Sequence, residues 1–141
     1  MLVDANLLLY AVDETSPHHR ASYQWLSGAL TGDRRVALPW QSLSAFVRIA
    51  TNPRASDHPL TPTNAWGFVR DWLRCDLTWT PNPTDRHQDV LGSLILRYDL
   101  RAGLIPDAEL AALAIEHGLK VYSADTDFAR FEEIDWVNPL R

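Results

Sequence analysis

Four aspartates stand where carboxylates far apart in a chain can meet. Asp4 closes the apolar opening Leu2-Val3, and Asp107 follows Ile105-Pro106 at the start of a helical pattern. Asp125 and Asp127 come just after the segment Lys120–Ser123. Three or four carboxylates in one pocket repel each other, and some must protonate unless a counter-charge is present. A divalent cation supplies that charge, and an all-oxygen ligand set suits Mg2+ or Mn2+. Such an ion can orient and activate a water and neutralise charge on a phosphodiester in flight, giving hydrolysis without a protein nucleophile. Taken one at a time, Asp107 also reads as a helix cap and Asp125 as a turn residue. Asp4 is harder to dismiss, because an acid closing a buried apolar strand is costly without a partner. A helix N-terminus at Asp107 should favour the ionised form by roughly 0.3–1 kcal/mol.

The elements that must position these groups alternate along the chain. Met1 to Asp4 reads as a short buried strand running into Leu7-Leu8-Leu9-Tyr10. Ser16-Pro17 signals a helix start, with Ser as cap and Pro at the first helical position. Apolar residues then recur at helical spacing through Leu30, and Gly32 ends the run. Val36-Ala37-Leu38 is a second strand. Pro39 opens a helix that Asn52-Pro53 stops. Thr61-Pro62 repeats the capped start, Leu77–Thr80 reads as a third strand, and Thr84 can cap a helix through Leu96. A further helix runs from about Asp107 to His117, closed by Gly118. Lys120–Ser123 is a fourth strand and Asp135-Trp136-Val137 a short fifth. Strands alternating with helices predict an α/β fold, a parallel sheet of four to five strands with helices on both faces. Sites in such sheets form beyond the carboxyl ends of the strands, where these aspartates fall.

Composition narrows the setting. The 141 residues suit one domain over 1–141, and no apolar run approaches the roughly 20 residues of a membrane helix. With no basic leader or cleavable signal segment, the expected location is the cytoplasm, with no membrane partner. The single cysteine, Cys75, excludes an internal disulfide and reads as a small core residue near a helix end. The net charge of -5 is unlike a general nucleic-acid binder, so any attraction to RNA must be local and involve metal. Lys120 is the only lysine among 13 basic residues. Arginine suits bidentate phosphate contact, although a high-GC genome gives the same bias.

The motifs then resemble a known family. Val3-Asp4-Ala5-Asn6-Leu7-Leu8-Leu9 resembles the opening of PIN-domain ribonucleases, specifically the VapC toxins of bacterial toxin–antitoxin pairs. Pro106-Asp107-Ala108-Glu109-Leu110 is similar to their central aspartate helix, and Ser123-Ala124-Asp125-Thr126-Asp127-Phe128 to their final acidic turn. Leu38-Pro39-Trp40 through Asn52-Pro53-Arg54 resembles a VapC subgroup. The resemblance covers nearly the whole chain. It implies a single PIN domain, a three-layer α/β/α sandwich, and Mg2+- or Mn2+-dependent cleavage of RNA by an endoribonuclease. It also implies inhibition by a VapB-type antitoxin and homodimerisation. Carried over by position, Asp4 and Asp107 are the main metal ligands, Asp125 completes the acidic site, and Asp127 supports it. Asn6 matches a small polar position that can hold the first carboxylate or a water.

One departure stands out. Many PIN nucleases carry a glutamate where this chain has Ala45, in Ala45-Phe46-Val47-Arg48. Arg48, about one turn away, would pair with such a glutamate. Without it, Arg48 is free to meet an RNA phosphate or to bond a nearby Asp. Glu109 does not replace the missing acid, because side chains two positions apart on a helix diverge. Asp127 is the better substitute.

The other candidates have plainer readings. His18 and His19 read as solvated, and His117 as a helix C-terminus partner. Trp25, Trp66 and Trp72 read mostly as core, with an option of lining a groove for an apolar antitoxin segment. Phe128 and Phe131 can pack in the core or stack on a base.

Two alternative functions follow. One is a catalytically weakened PIN domain that binds RNA or protein. The other is a phosphoaspartate protein, which needs a lysine at the site, whereas Lys120 starts a strand. Ala45→Glu is expected to tighten divalent-ion binding by titration calorimetry if the site is one ligand short. Unchanged affinity would mean that other residues already complete it.

Overall fold

The computed structural model describes residues 1–141. β1 (Leu2–Val3) leads into α1 (Ala5–Val12) and α2 (His19–Leu30). β2 (Val36–Ala37) is followed by α3 (Trp40–Ala50) and α4 (Pro62–Leu73), and β3 (Thr78–Trp79) by α5 (His87–Tyr98) and α6 (Leu104–His117). A 3-10 turn, Thr126–Arg130, then separates β4 (Val121–Tyr122) from β5 (Trp136–Val137). All five strands are parallel, in the order β3-β2-β1-β4-β5.

Side-chain alternation along these short strands divides the core into two. Leu2, Ala37 and Val121 face a cluster with Leu94, Phe128 and the apolar side of α6. Val3, Val36 and Leu38 face the opposite cluster, with Leu7, Leu8, Leu26, Leu43, Phe46 and Val69 from the first four helices. The result is the expected α/β/α sandwich, with β1 at its centre. No helix is long and apolar enough to cross a membrane.

The apolar stretch after Asp4 is helical because Asp4 caps it. Its backbone is extended, and its Oδ1 accepts from the Ala5 N–H at 2.7 Å. Thr61 caps α4 as expected, with its hydroxyl accepting from Asn64 N–H at 3.1 Å.

Three expected helix starts move. α2 begins at His19, because Ser16-Pro17-His18 forms a turn closed by the Ser16 hydroxyl on the His18 N–H. α5 begins at His87 and runs on to Tyr98. Thr84 instead gives both its N–H and its hydroxyl to buried Glu116, at 2.8 and 2.6 Å. Burial pushes the Glu116 carboxyl up, but the bonds from Thr84 and His87 overcome that and hold it below the ordinary glutamate range. α6 begins at Leu104, three residues before Asp107. Pro106 is tolerated there because the first-turn amides have no helical partner to lose. Cys75 is also not a core residue. It sits half-buried just past α4, with Sγ 3.6 Å from the Asp71 carbonyl.

Gly118 ends α6 with φ of 66°, the left-handed conformation that favours glycine. Its surroundings leave room for a methyl group, so the penalty in Gly118→Ala comes from the backbone alone. Urea unfolding is expected to show a loss of about 1–2 kcal/mol with an unchanged m-value.

Candidate active site

The strand order reverses direction at β1, which pairs with β2 on one side and β4 on the other. The crevice outside the carboxyl ends of β1 and β4 is therefore the topological switch point. Asp4 leaves β1 there, and Ser123 and Asp125 leave β4. Backbone bonds from Leu2 N–H to Lys120 carbonyl (2.8 Å) and from Asp4 N–H to Tyr122 carbonyl (3.0 Å) set the two exits side by side.

A buried serine joins them. The Ser123 hydroxyl donates to Asp4 Oδ2 at 2.7 Å. It accepts from Asn6 Nδ2 at 3.1 Å and from the Asp125 N–H at 3.0 Å. Its one donor and two acceptor sites are all used. Asn6 Oδ1 in turn accepts from the Ala124 N–H at 3.3 Å. Asn6 thus reaches the first carboxylate through Ser123 rather than directly. The sequence reading gave Ser123 no role, although a hydroxyl between a strand end and an acidic turn was a visible signal.

Asp125 caps the 3-10 turn, accepting from the Asp127 N–H at 2.8 Å. α6 brings in Asp107 from the far layer. One carboxylate oxygen from each of Asp107, Asp125 and Asp127 falls within 4.8 Å of the others. Asp4 lies beside this trio rather than inside it, near enough for its charge to act on Asp107.

The electrostatics follow from that crowding. Burial raises the Asp107 carboxyl to about 7, helped by the charges of Asp125, Asp4 and Asp127 and opposed by Arg130. The expected gain from a helix N-terminus is outweighed, since Asp107 is the fourth residue of α6 and faces three other acids. Burial also raises Asp4, against the bonds from Ser123 and the Ala5 N–H. A trio of oxygen donors that resists ionising together is what a hard divalent cation would relieve, so the residues fit such an ion.

The remaining candidates separate cleanly. Arg48 is exposed and forms no ion pair, and Ala45 is half-buried on the same helix. The arginine that does reach the acids is Arg130. Phe128 and Phe131 are 0% and 2% exposed, so they pack in the core and offer no face to a base. Lys120 is exposed, and its carbonyl bonds at the amino end of β1, away from the acids. This removes the lysine that a phosphoaspartate reading requires. His19 Nδ1 lies 2.9 Å from the Tyr10 carbonyl, and His117 Nε2 lies 2.7 Å from the Asn82 carbonyl. Trp72 is buried, Trp25 stacks on Tyr122, and exposed Trp66 stacks on Trp40.

Comparisons with known proteins agree with this arrangement. The PIN-domain family profile matches residues 1–134. Ribonuclease VapC37 of Mycobacterium tuberculosis is 46% identical over 138 residues, covering 98% of this chain and 96% of the relative. Ribonuclease VapC33 from the same species is 39% identical over 144 residues, covering 100% and 99%. Among solved structures, the M. tuberculosis toxin VapC20, described as cleaving the sarcin-ricin loop, matches with a TM-score of 0.68 at 16% identity. That match covers 95% of this chain and 98% of the toxin. The VapBC2 complex of Rickettsia felis bound to a promoter DNA fragment matches at 0.69 and 13% identity, covering 97% and 96%. At these identities the two structures bear on the fold alone.

The raised Asp107 carboxyl has a consequence in pH. Between the ordinary 3.8 and about 7 the folded protein holds a proton that the unfolded chain releases. Without metal, stability therefore falls as pH rises through that window. A ligand must lose this proton, so divalent-ion affinity rises over the same range. In chelator at pH 8, Asp107→Asn is expected to melt about 2–4 °C above the parent, allowing for a carboxyl only half-buried. The gap should narrow at pH 5. Scanning calorimetry showing the same gap at both values would contradict the raised carboxyl.

Proposed function

We propose a reaction for a chain that belongs to the PIN-domain family and, within it, to the VapC ribonucleases: hydrolysis of RNA phosphodiester bonds at the pocket of Asp4, Asp107, Asp125 and Asp127. The protein is a toxin endoribonuclease. The observation that carries the assignment of the site is the meeting of Asp107, Asp125 and Asp127, one oxygen of each within 4.8 Å of the others, with Asp4 beside them. Such a cluster is poorly stable without a cation.

Asp4 and Asp107 are the main ligands in this reading, with Asp125 and Asp127 completing the shell and Mg2+ or Mn2+ as the ion. Bound there, the ion supplies an activated water and a counter-charge for the phosphate. The chain's own residues prepare the place. The Ser123 O–H and Ala5 N–H hold the Asp4 carboxylate in one orientation. The Asp127 N–H fixes Asp125. Asn6 supports the site by keeping the Ser123 hydroxyl directed at Asp4.

The partner in this reading is a VapB-type antitoxin, and the working form is a homodimer acting on RNA in the cytoplasm. A cavity of about 820 Å3 between α1, α3 and α4, with Leu9, Ile49 and Phe68 beside charged Asp13, Glu14 and Arg70, suits an amphipathic antitoxin segment. Trp25, Trp66 and Trp72 do not line it.

Ala45 favours a second reading, a weakened nuclease that binds without efficient cutting. Single-turnover cleavage of total RNA with Mn2+ decides between them. The expected result is cutting that stops on chelation and drops by about 100-fold or more in Asp4→Ala and Asp107→Asn. Variants that cut like the parent would refute the site. A parent that binds Mn2+ without cutting would favour the binding module.

A further inference from the structure

We propose that Arg130 is a substrate-phosphate contact of this pocket, holding a phosphate beside the bond that is cut. The proposal rests on the reading above that RNA is cleaved there. A polyanion approaching a net charge of -5 through a cluster of carboxylates needs a local positive donor besides the ion. Arg130 is the basic residue that touches the cluster. Its Nη2 lies 3.3 Å from Asp127 Oδ1, and its Nε donates to the Asp127 carbonyl at 3.0 Å. No other arginine or lysine forms an ion pair with Asp4, Asp107, Asp125 or Asp127. Its charge also reaches Asp107, where it opposes the upward push of the other acids.

The geometry suits a phosphate better than a permanent salt bridge. Two of the five guanidinium N–H donors are engaged, which leaves three, including both on Nη1. The Arg130 and Asp127 side chains are 35% and 47% exposed, so their pair is weak and easily exchanged. The base of the side chain is firmly set, because buried Phe128 and Phe131 anchor the turn on either side of it. A planar fork on a fixed stem, next to the acids and open to solvent, matches bidentate phosphate recognition. Arg48, the arginine considered from sequence, has no such placement: it is exposed on another helix and touches none of the acids.

The test uses binding, so that it does not depend on turnover. Fluorescence anisotropy would follow a labelled single-stranded RNA oligonucleotide on full-length Asp107→Asn, with and without Arg130→Ala, across a salt series in Mn2+. Removing the arginine is expected to weaken binding about tenfold and to reduce the slope of log K against log salt by about 0.7, one single-strand phosphate. Arg130→Lys should restore the slope but only part of the affinity, because a lysine keeps the charge and loses the fork. Calorimetric Mn2+ affinity, measured with Asp107 intact, and melting temperature serve as controls. An unchanged slope would overturn the proposal, and altered Mn2+ affinity beside it would reduce Arg130 to a counter-charge for Asp127. A parent that fails to cleave RNA would instead overturn the reading of the pocket, while a slope change would still support the phosphate contact.

Discussion

The parallel pairing of β1 with β4 joins residues that are 119 positions apart, and the pocket depends on it. Each strand has only two residues in the ladder, so backbone bonding alone is a thin connection. The Ser123 hydroxyl adds a second tie across the same seam. It bonds the acid at the end of one strand, the amide side chain that follows it, and the backbone of the acid at the end of the other. Because its hydrogen can point one way only, the network also fixes Asp4 as an acceptor. The arrangement thus fixes the position of the carboxyl and favours its ionised form, against the burial that raises it.

The acids work against the fold that holds them. Asp107, Asp125 and Asp127 repel each other across a few ångströms, and partial burial weakens the screening at Asp107. Stability must come from elsewhere, and the two apolar clusters on either face of the sheet provide it. Leu2 and Val3 lie immediately before Asp4 and are fully buried, one on each face. Fully buried packing and an acid of the pocket are therefore adjacent in the chain.

Much of this was legible in sequence, for reasons tied to particular residues. Asp4 after two apolar residues reads as a strand-end acid because burial makes an unpartnered carboxylate unfavourable. Thr61-Pro62 and Gly118 read correctly because capping and left-handed backbone are local properties. The start of α6 was misplaced because proline is compatible with any first-turn position, so Pro106 marks a region rather than a residue. Crowded carboxylates are expected to protonate in part, but that Asp107 is the one raised depends on its burial and on Asp125 and Asp4, which are near only in three dimensions. Ser123 and Arg130 escaped for the same reason. A serine or an arginine gains meaning from what lies across the seam, and neither spacing nor periodicity reports that. Phe128 and Phe131 were left open between core and surface, and only the packing of the 3-10 turn against α6 decides it.

The long separation along β1 and β4 also sets an order of events during synthesis. Asp4 is made early, but its supporting serine and the remaining acids of the turn come more than a hundred residues later. At about 5–20 residues per second, that interval is on the order of 10 s. Until β4 has left the ribosome, β1 lacks the neighbour that carries Ser123 and Asp125, and α6 has no completed edge to pack on. The acidic pocket therefore cannot assemble until both strands are available to pair. Topology alone builds that delay into the molecule.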